Sequence, residues 1–387
     1  MKIVRKITAL FLCAAILFGG AFIFVGAAPA VQGGGEMKLD CRSAILMEAS
    51  TGEVLYEMNA DEALPPASVT KVMTLLLVME AIADGRLSLG DTVSASEHAC
   101  SMGGSQIYLE PGEQMSVEDL LKSVVIASAN DAALALAEHI AGSEESFVAM
   151  MNKRAAELGM TSTRFENTNG LDDTVTEHVT SARDIAIMSR ELIKHEKITE
   201  YSSIWMDTIR GGEFGLTNTN RLIRFYKGAT GLKTGSTSKA KFCITATAER
   251  DGMTLIAVIM AAPTRDIRNA AAASLLDFGF ANYALYKSPG GAVSDISVIG
   301  GVKRELAAEY GEFSCVLKKS EIKGVQQSLE YEKSVAAPIR SGDKLGRAVY
   351  KIGEREIGSV ELLAAESVEK ISFWGVFLRM LAKMSLC

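Results

Sequence analysis

The stretch Leu64-Pro-Pro-Ala-Ser-Val-Thr-Lys71 runs directly into the apolar segment Val72-Met-Thr-Leu-Leu-Leu-Val-Met79. Two prolines that favour a first helical turn precede a long run of helix formers, which predicts a buried helix with Ser68 in its first turn. Residues three apart share a helix face, so the Lys71 amine can reach the Ser68 hydroxyl. Because apolar surroundings lower the pKa of a lysine, Lys71 is expected to be neutral. The pattern predicts a serine nucleophile with its own base.

The length and composition of the chain are typical of a folded protein with a mildly acidic net charge. Its 387 residues include 22% charged and 48% hydrophobic residues, and the formal net charge is −7. A chain of this length holds about two or three domains. The acidic balance provides no basic face, so we expect no nucleic-acid partner.

The first thirty residues have the pattern of an export signal. Lys2, Arg5 and Lys6 precede an apolar run over residues 7–27, and Ala28-Pro29-Ala30 offers the small residues that a signal peptidase needs. We therefore predict a signal peptide over residues 1–30. Without cleavage, the same run is long enough to span a bilayer. In either case we expect the working part of the protein outside the cytoplasm.

The cysteines do not form a recognisable framework. Five of the six follow the predicted cleavage site, they are widely scattered, and none belongs to a Cys-x-x-Cys pair. This spacing argues against both a disulfide scaffold and a zinc site.

Strand patterns flank a helical middle. Residues 43–57 read as a β-hairpin around Ser50-Thr-Gly52, and the apolar runs 242–248 and 254–260 read as a second hairpin around Asp251-Gly252. Between them, helical patterns predominate from about residue 86 to residue 200, and a further helix is predicted over 266–280. Distant strands therefore assemble one sheet, which predicts an α/β sandwich with a helical insertion. The predicted helices of the middle region are one that begins at Leu120 after the capping box 116–119, one at 130–141 and one at 144–158.

The C-terminal quarter has a different pattern. After Ser288-Pro-Gly-Gly291, short strand patterns predict a small β domain over residues 292–365. Residues 368–387 form an amphipathic segment that is too short and too charged to span a membrane. Two interpretations stay open: a helix in the membrane interface, or a helix docked on the β domain. The strand patterns are at 293–299, 313–317, 328–331, 335–339, 348–352 and 355–363.

Two further motifs accompany the Ser68 helix. Ser-x-x-Lys alone is uninformative, because the chain contains it six times, beginning at residues 68, 236, 238, 320, 341 and 367. Ser128-Ala-Asn130 lies in a loop that can project a hydroxyl and an amide together. Lys233-Thr-Gly235 leads into a strand, which places an ammonium and a hydroxyl at a sheet edge with a glycine that permits close approach. The three motifs in this order are the set of class A β-lactamases and penicillin-binding proteins.

On these motifs, the chain resembles the low-molecular-mass penicillin-binding proteins that are D-alanyl-D-alanine carboxypeptidases of the serine peptidase S11 type. The resemblance covers residues 38–287, and the C-terminal β domain with its amphipathic tail also resembles that group's usual ending. It implies a penicillin-binding/β-lactamase-like α/β sandwich, with a mainly antiparallel sheet flanked by helices. It also implies a carboxypeptidase domain over residues 38–287.

The resemblance implies a role for each motif residue. Ser68 attacks the D-Ala-D-Ala bond, Lys71 takes its proton, Ser128 relays a proton to the departing D-alanine, and Asn130 holds the substrate amide. The backbone N–H groups of Ser68 and Ser236 form the oxyanion hole. The residues expected to bind the terminal carboxylate are Lys233 and Thr234 with the neighbouring Gly235, together with Arg268, and Arg265 is a weaker candidate.

The partners implied by the resemblance are peptidoglycan stem peptides ending in D-Ala-D-Ala, β-lactam antibiotics, and a membrane surface through the C-terminal helix. Neither a metal nor an organic cofactor is needed. The implied location is the outer face of the bacterial cytoplasmic membrane and the cell wall, as a peripheral protein.

Four features depart from the family pattern or bear on the alternatives. Ala240-Lys-Phe242 replaces the usual Ala-Gly-aromatic, and the loop 164–171 lacks the family's proline. His178 matches a family position, and we interpret it as structural. A class A β-lactamase would need a deacylating carboxylate, but Glu166 lies in Glu-Asn-Thr-Asn rather than Glu-x-x-Leu-Asn. A non-catalytic cell-wall binding protein on the same scaffold is the third alternative.

Overall fold

The computed structural model describes residues 37–173 and 175–384. The predicted signal peptide and almost all of the linker that follows it lie outside the described residues.

Strands flank a mainly helical middle in the first part of the chain, as the sequence predicts, and short strands are added within that middle region. A 3-10 turn, Ala67–Thr70, precedes α1, and a single π-helical turn, Ser123–Ala127, separates α3 from α4. The strands are β1 Ser43–Glu48, β2 Val54–Met58, β3 Thr92–Ser94, β4 Gln114–Ser116, β5 Met206–Ile209, β6 Phe214–Thr217, β7 Ala229–Thr237, β8 Lys241–Arg250, β9 Met253–Ala262 and β10 Tyr283–Ser288. The helices are α1 Lys71–Ala83, α2 Glu97–Cys100, α3 Val117–Lys122, α4 Asn130–Ala141, α5 Glu144–Glu157, α6 Ala182–Leu192, α7 Glu196–Ser202, α8 Leu222–Phe225 and α9 Arg265–Asn282.

A five-stranded antiparallel sheet in the order β2-β1-β9-β8-β7 forms the centre of this part. The strand β1 is buried on both faces, since Ile45 and Met47 pack in the core that contains α1 and α6, while Ala44 and Leu46 pack in the core that contains α9. Helices on both faces of an antiparallel sheet, with α1 to α7 inserted between β2 and the remaining strands, confirm the predicted sandwich.

Both predicted hairpins are confirmed, as are the helices at 130–141, 144–158 and 266–280 within one or two residues. The predicted start of one helix is wrong. The helix α3 begins at Val117 rather than Leu120, because Ser116 is its N-cap and accepts a 3.1 Å hydrogen bond from Asp119 N. The strands β3 to β6 were not predicted. Each is only three or four residues long, too short for alternation to be visible.

The C-terminal part is built on a six-stranded sheet. The chain enters this part through β10, which pairs with β13, and a final helix, α10 Phe373–Met384, follows the last strand. The strand β12 was not predicted. The remaining strands are β11 Gly291–Ile299, β12 Glu305–Tyr310, β13 Phe313–Lys318, β14 Val325–Tyr331, β15 Ser334–Ala336, β16 Lys344–Ile352 and β17 Arg355–Ala364, and the sheet order is β14-β16-β17-β12-β11-β15.

The helix α10 leaves its large apolar side chains exposed. Phe373, Trp374 and Leu378 are 78%, 69% and 63% exposed, respectively. Arg379 donates hydrogen bonds to the carbonyl oxygens of Gly301 and Val302, the first at 3.0 Å. The helix is therefore held to the β domain by a polar contact, not by burial of its aromatic residues. Over residues 37–173 and 175–384, no helix has the length and apolar character needed to cross a membrane.

Candidate active site

Ser68 lies in the 3-10 turn in front of α1, so the first α-helical residue is Lys71 and not Ser68. Ala67 has a positive φ of 48°, which regular α-helix does not allow, and Thr70 Oγ1 donates a 2.8 Å hydrogen bond back to Ala67 O. The turn is packed closely against Gly170, where an added Cβ would lie 1.9 Å from Ala67 O. This packing leaves the Ser68 side chain half-exposed at the surface of a cleft.

Lys71 is fully buried behind Ser68. Its Nζ lies 3.0 Å from Ser68 Oγ, 2.5 Å from Asn130 Oδ1 and 3.1 Å from Asn169 O. Burial, followed by the nearby charge of Lys233, holds the pKa of Lys71 well below its ordinary value. A neutral amine at this distance can accept the serine proton.

The Ser128 loop supplies a second hydroxyl. Ser128 adopts a left-handed conformation with φ 65° directly after the π-helical turn, and it accepts a 2.8 Å hydrogen bond from Lys233 Nζ. Asn130 begins α4 and joins this loop to Lys71, because its Oδ1 accepts from the lysine while its Nδ2 donates to Gly103 O at 2.6 Å. The two hydroxyls therefore each have a lysine beside them.

The third motif lies on the outer strand of the sheet, β7, next to the 3-10 turn that contains Ser68. A Cβ on Gly235 would lie 2.8 Å from both Ser68 N and Pro66 O, so only glycine permits this approach. Burial, with a further contribution from Arg268, lowers the pKa of Lys233 to about 7. Thr234 Oγ1 donates to Thr219 Oγ1 at 2.8 Å.

A cleft of ≈ 700 Å³ opens in front of these groups. Lys71, Lys233 and Asn130 are buried beside the cleft and contact residues that line it, namely Ser68, Ser128 and Ser105, respectively. Arg268 is almost fully buried, and burial followed by the charge of Arg265 lowers its pKa to about 10. The predicted site residues that line the cleft are Ser68, Ser128, Thr234, Gly235, Ser236, Arg265 and Arg268.

Comparison with known proteins agrees with this geometry. Residues 30–264 match the peptidase S11 family, described as D-alanyl-D-alanine carboxypeptidase, and residues 281–370 match the C-terminal domain of penicillin-binding protein 5. The chain belongs to the S11 D-alanyl-D-alanine carboxypeptidase family. It is accordingly a serine-type hydrolase with carboxypeptidase activity.

Individual relatives cover most of this carboxypeptidase. It is 44% identical to the D-alanyl-D-alanine carboxypeptidase DacF of Bacillus subtilis over 346 residues, which are 87% of this chain and 88% of the relative. Penicillin-binding protein 5 of Haemophilus influenzae is similar in structure, with a TM-score of 0.77 at 30% identity, over 87% of this chain and 100% of the other. Penicillin-binding protein D2 of Listeria monocytogenes, solved with ampicillin, has a TM-score of 0.59 at 33% identity, over 64% of this chain and 100% of the other.

Several residues of the carboxypeptidase site were not predicted. Asn169 contributes its backbone carbonyl to Lys71, and a backbone contact has no signature in side-chain patterns. Thr219, Arg221 and Arg224 also line the cleft, and they belong to a segment whose sequence has no regular periodicity. The sequence signal that could have indicated this segment is the high proportion of asparagine and arginine over residues 218–224.

His178 contacts the 3-10 turn that contains Ser68. Its Nδ1 accepts a 3.0 Å hydrogen bond from Glu166 N, so the proton is on Nε2, which lies 2.7 Å from Thr70 Oγ1. Burial lowers the pKa of His178 to about 4, against smaller opposing effects of Glu166 and Asp172. The neutral ring contacts the turn and not the cleft, which agrees with the structural interpretation.

Glu166 does not face Ser68. Its Oε2 accepts hydrogen bonds from the backbone N–H groups of Thr176 and Glu177, both at 3.0 Å. None of the described residues that line the cleft is an aspartate or a glutamate. The carboxylate that a class A β-lactamase would use for deacylation has no counterpart among them.

Proposed function

We propose that Ser68 is the nucleophile that attacks the D-Ala-D-Ala bond of peptidoglycan stem peptides, and that Lys71 takes its proton. The observation that carries this proposal is the 3.0 Å separation of Lys71 Nζ and Ser68 Oγ, in a setting that holds the pKa of the lysine well below its ordinary value. A neutral, desolvated lysine beside a serine is an activated nucleophile.

The other motif residues complete the reaction. Ser128, which accepts a hydrogen bond from Lys233, passes a proton to the departing D-alanine. The backbone N–H groups of Ser68 and Ser236 stabilise the oxyanion, a contribution of about 10²–10³ in rate for such a donor. Asn130 holds the substrate amide with the second hydrogen of its Nδ2.

The terminal carboxylate of the substrate binds Lys233, Thr234 and Arg268. The first and last of these are buried cations beside the cleft, and Thr234 adds a hydroxyl between them and the nucleophile turn. Charge-assisted hydrogen bonds of this kind fix the orientation of a carboxylate. Water then hydrolyses the ester on Ser68 and releases the shortened peptide, with no metal or organic cofactor in the reaction.

β-Lactams form the same type of ester and inhibit the enzyme. The structures of Listeria monocytogenes penicillin-binding protein D2 with ampicillin and with cefotaxime support this proposal, since that protein matches over the whole of its length. The deacylating carboxylate of a β-lactamase is missing from the described lining of the cleft. The adduct on Ser68 is therefore expected to be long-lived.

We further propose that the protein is exported through the signal peptide at residues 1–30 and works in the cell wall, attached peripherally to the membrane by α10. The S11 match begins at residue 30, where the apolar run has ended. The exposed aromatic side chains of α10 have the chemistry of an interfacial helix.

The experiment that tests the assignment of Ser68 uses two serine variants. We expect Ser68→Ala to abolish both D-alanine release from a pentapeptide ending in D-Ala-D-Ala and the formation of a labelled penicillin adduct. Ser320→Ala is the matched control, because Ser320 begins another Ser-x-x-Lys motif but is exposed in the C-terminal part. Retention of D-alanine release by Ser68→Ala would disprove the nucleophile assignment, and lack of an adduct on the unmodified protein would favour a binding role.

A further inference from the structure

The proposed base, Lys71, has two amide oxygens beside its amine. Its Nζ lies 2.5 Å from Asn130 Oδ1 and 3.1 Å from Asn169 O, and both oxygens can only accept hydrogen bonds. A neutral amine has two N–H groups and one lone pair. When the two N–H groups donate to these oxygens, the lone pair is left for Ser68 Oγ, which is 3.0 Å away. The positions of the two amide oxygens therefore control whether the lone pair faces the serine proton.

The two oxygens are held in different ways. Asn130 Oδ1 belongs to a side chain whose Nδ2 donates a 2.6 Å hydrogen bond to Gly103 O, which fixes the orientation of the amide. Asn169 O belongs to the backbone of a segment without a helix or strand. In the same peptide unit, Gly170 N donates to Asn167 Oδ1 at 2.7 Å, which shapes the segment but does not attach it to another element.

Glu144, at the start of α5, provides such an attachment through Thr168, the residue before Asn169. Glu144 Oε1 accepts hydrogen bonds from Thr168 N at 3.0 Å and from Thr168 Oγ1 at 2.9 Å. Thr168 O accepts a 2.6 Å hydrogen bond from Thr74 Oγ1, on the same helix as Lys71. Thr168 is fully buried. Each of its polar groups therefore has a partner, and two of the three hydrogen bonds end on one carboxylate oxygen.

The second oxygen of that carboxylate makes a weaker contact. Glu144 Oε2 lies 3.7 Å from Nε2 of His98, a half-exposed ring whose Nδ1 lies 3.0 Å from Glu138 Oε1. Exposed pairs of this kind contribute little free energy. The short contacts of Glu144 are those with Thr168, so its carboxylate binds the backbone next to Asn169 more closely than it binds a cation.

We propose that Glu144 is a positioning residue for Lys71. Its carboxylate fixes the backbone that carries Asn169 O, and that oxygen turns the lone pair of the lysine amine toward Ser68. Glu144 itself transfers no proton, and it is not among the described residues that line the cleft. This inference rests on the proposed function, since it requires Lys71 to be the base.

The test measures penicillin acylation by stopped flow and separates the dissociation constant of the first complex from the acylation rate constant. Glu144→Ala removes the acceptor, whereas Glu144→Gln keeps an oxygen that can accept both hydrogen bonds. The control is Glu145→Ala, because Glu145 lies in the same first turn of α5 but is exposed. Both alanine variants lose a favourable charge at the helix N-terminus, so that effect cancels in the comparison.

We expect Glu144→Ala to lower the acylation rate constant about tenfold, less than the loss of about a hundredfold that is typical of a 1 Å displacement, because Thr74 still holds Thr168 O. The dissociation constant should change less than about twofold, since the variant affects the chemical step and not binding. Glu144→Gln should lose less than about threefold, because a neutral acceptor is weaker than a carboxylate. Glu145→Ala should acylate at the unmodified rate.

The amplitude of adduct formation gives the folded fraction of each variant. If it shows that Glu144→Ala does not fold, Thr168→Val answers the question, because it has a similar shape and removes one of the two hydrogen bonds without a change in α5. It should slow acylation about threefold, as expected for the loss of one buried hydrogen bond. An unchanged rate constant in Thr168→Val would then count against the inference.

Two further results would overturn the role of Glu144 while leaving the proposed function intact. One is a loss in Glu144→Ala that is confined to the amplitude, with the rate constant of Glu145→Ala. The other is a glutamine variant as slow as the alanine variant, which would assign the effect to charge and not to the hydrogen bonds. Absence of any adduct on the unmodified protein would instead overturn the proposed function.

Discussion

Lys71 and Lys233 are buried in the same site, so it is energetically unfavourable for both to be protonated at once. Which of them keeps its proton determines the role that each is proposed to have. Each is fully buried, and the charge of Lys233 is the second cause of the lowered pKa of Lys71. Lys233 itself has a pKa of about 7. In the free enzyme near neutral pH, we therefore expect Lys71 to be the neutral lysine that its proposed role as base requires, while Lys233 keeps part of its charge for the proposed contact with an anionic substrate.

The first residue-scale prediction concerns the alkaline side of the pH profile. Since kcat/KM reports the free enzyme, it should fall above about pH 7 for a substrate with a terminal carboxylate, as Lys233 loses its proton. Lys233→Arg keeps the charge at higher pH, so its alkaline decline should move upward even if its maximum is lower. Initial rates from pH 5 to pH 10 measure both profiles. An alkaline decline at the same pH in both enzymes would assign the titration to another group.

The second residue-scale prediction concerns His178 and stability. The folded chain holds the pKa of His178 at about 4, below its ordinary 6.5, so between these values the unfolded chain binds a proton that the folded chain does not. Stability is therefore lost as the pH falls. From about pH 7 to pH 4 the expected loss in the free energy of unfolding from this one group is about 3 kcal/mol.

The comparison variant is His178→Gln, which keeps a donor for Thr70. Urea unfolding at both pH values should show a smaller loss of stability for the variant than for the unmodified protein. Equal losses would mean that His178 is protonated in the folded state.

Side-chain motifs were sufficient to find the groups that surround Ser68, because nucleophile, base and proton relay are chemical requirements with fixed residue types. They were insufficient for Asn169, which contributes a carbonyl, and for Arg221 and Arg224, which belong to no motif. The positions of these three depend on how two separate segments, around residues 169 and 221–224, pack beside the cleft. That is a tertiary property which local pattern does not encode.

At the scale of secondary-structure elements, the site depends on the close approach of β7 to the turn before α1. Gly235 permits this approach, since a Cβ there would lie 2.8 Å from Ser68 N and Pro66 O. Both are backbone atoms of a turn already packed against Gly170, so neither can move aside easily. The strand and the turn must separate to accommodate any side chain.

We therefore predict that Gly235→Ala slows penicillin adduct formation by about a hundredfold, the typical effect of a displacement of about 1 Å within an active site. Gly90→Ala is the control, because no atom lies within 4 Å of the added Cβ and its φ is not in the positive range. Stopped-flow acylation measures the rate, and circular dichroism checks the fold. Equal acylation rates in the two variants would show that the approach is not required.

The elements themselves were predictable where they are long and periodic. The hairpin β8–β9 has an Asp-Gly turn between two apolar runs, and α4 and α5 have clear helical periods. The turn at Ser68 was less accurately predicted, since proline and serine patterns mark a helix start without distinguishing a 3-10 turn from the first turn of an α-helix. Ala67 has a positive φ, and its carbonyl oxygen packs against Gly170, a contact between residues far apart in the sequence that local patterns do not reveal.

At the scale of the whole molecule, α10 follows the C-terminal sheet and contributes no residue to the described lining of the cleft. The tether of α10 is polar, through Arg379 and two carbonyl oxygens, while Phe373, Trp374 and Phe377 remain exposed. A helix that docked on the β domain through its apolar face would bury these rings. Their exposure supports the membrane-interface interpretation over the docked-helix interpretation.

The last prediction is that deletion of residues 371–387 moves the exported protein from the membrane fraction to the soluble fraction without loss of D-alanine release. The physical reason is that the deletion removes the exposed apolar face and none of the residues around Ser68. Fractionation of cells followed by penicillin labelling measures both properties at once. Arg379→Ala is the control, because it breaks the tether to residues 301–302 but keeps the aromatic residues, and it should stay on the membrane. If the deletion leaves membrane association unchanged, the attachment lies instead in an uncleaved apolar segment at residues 7–27.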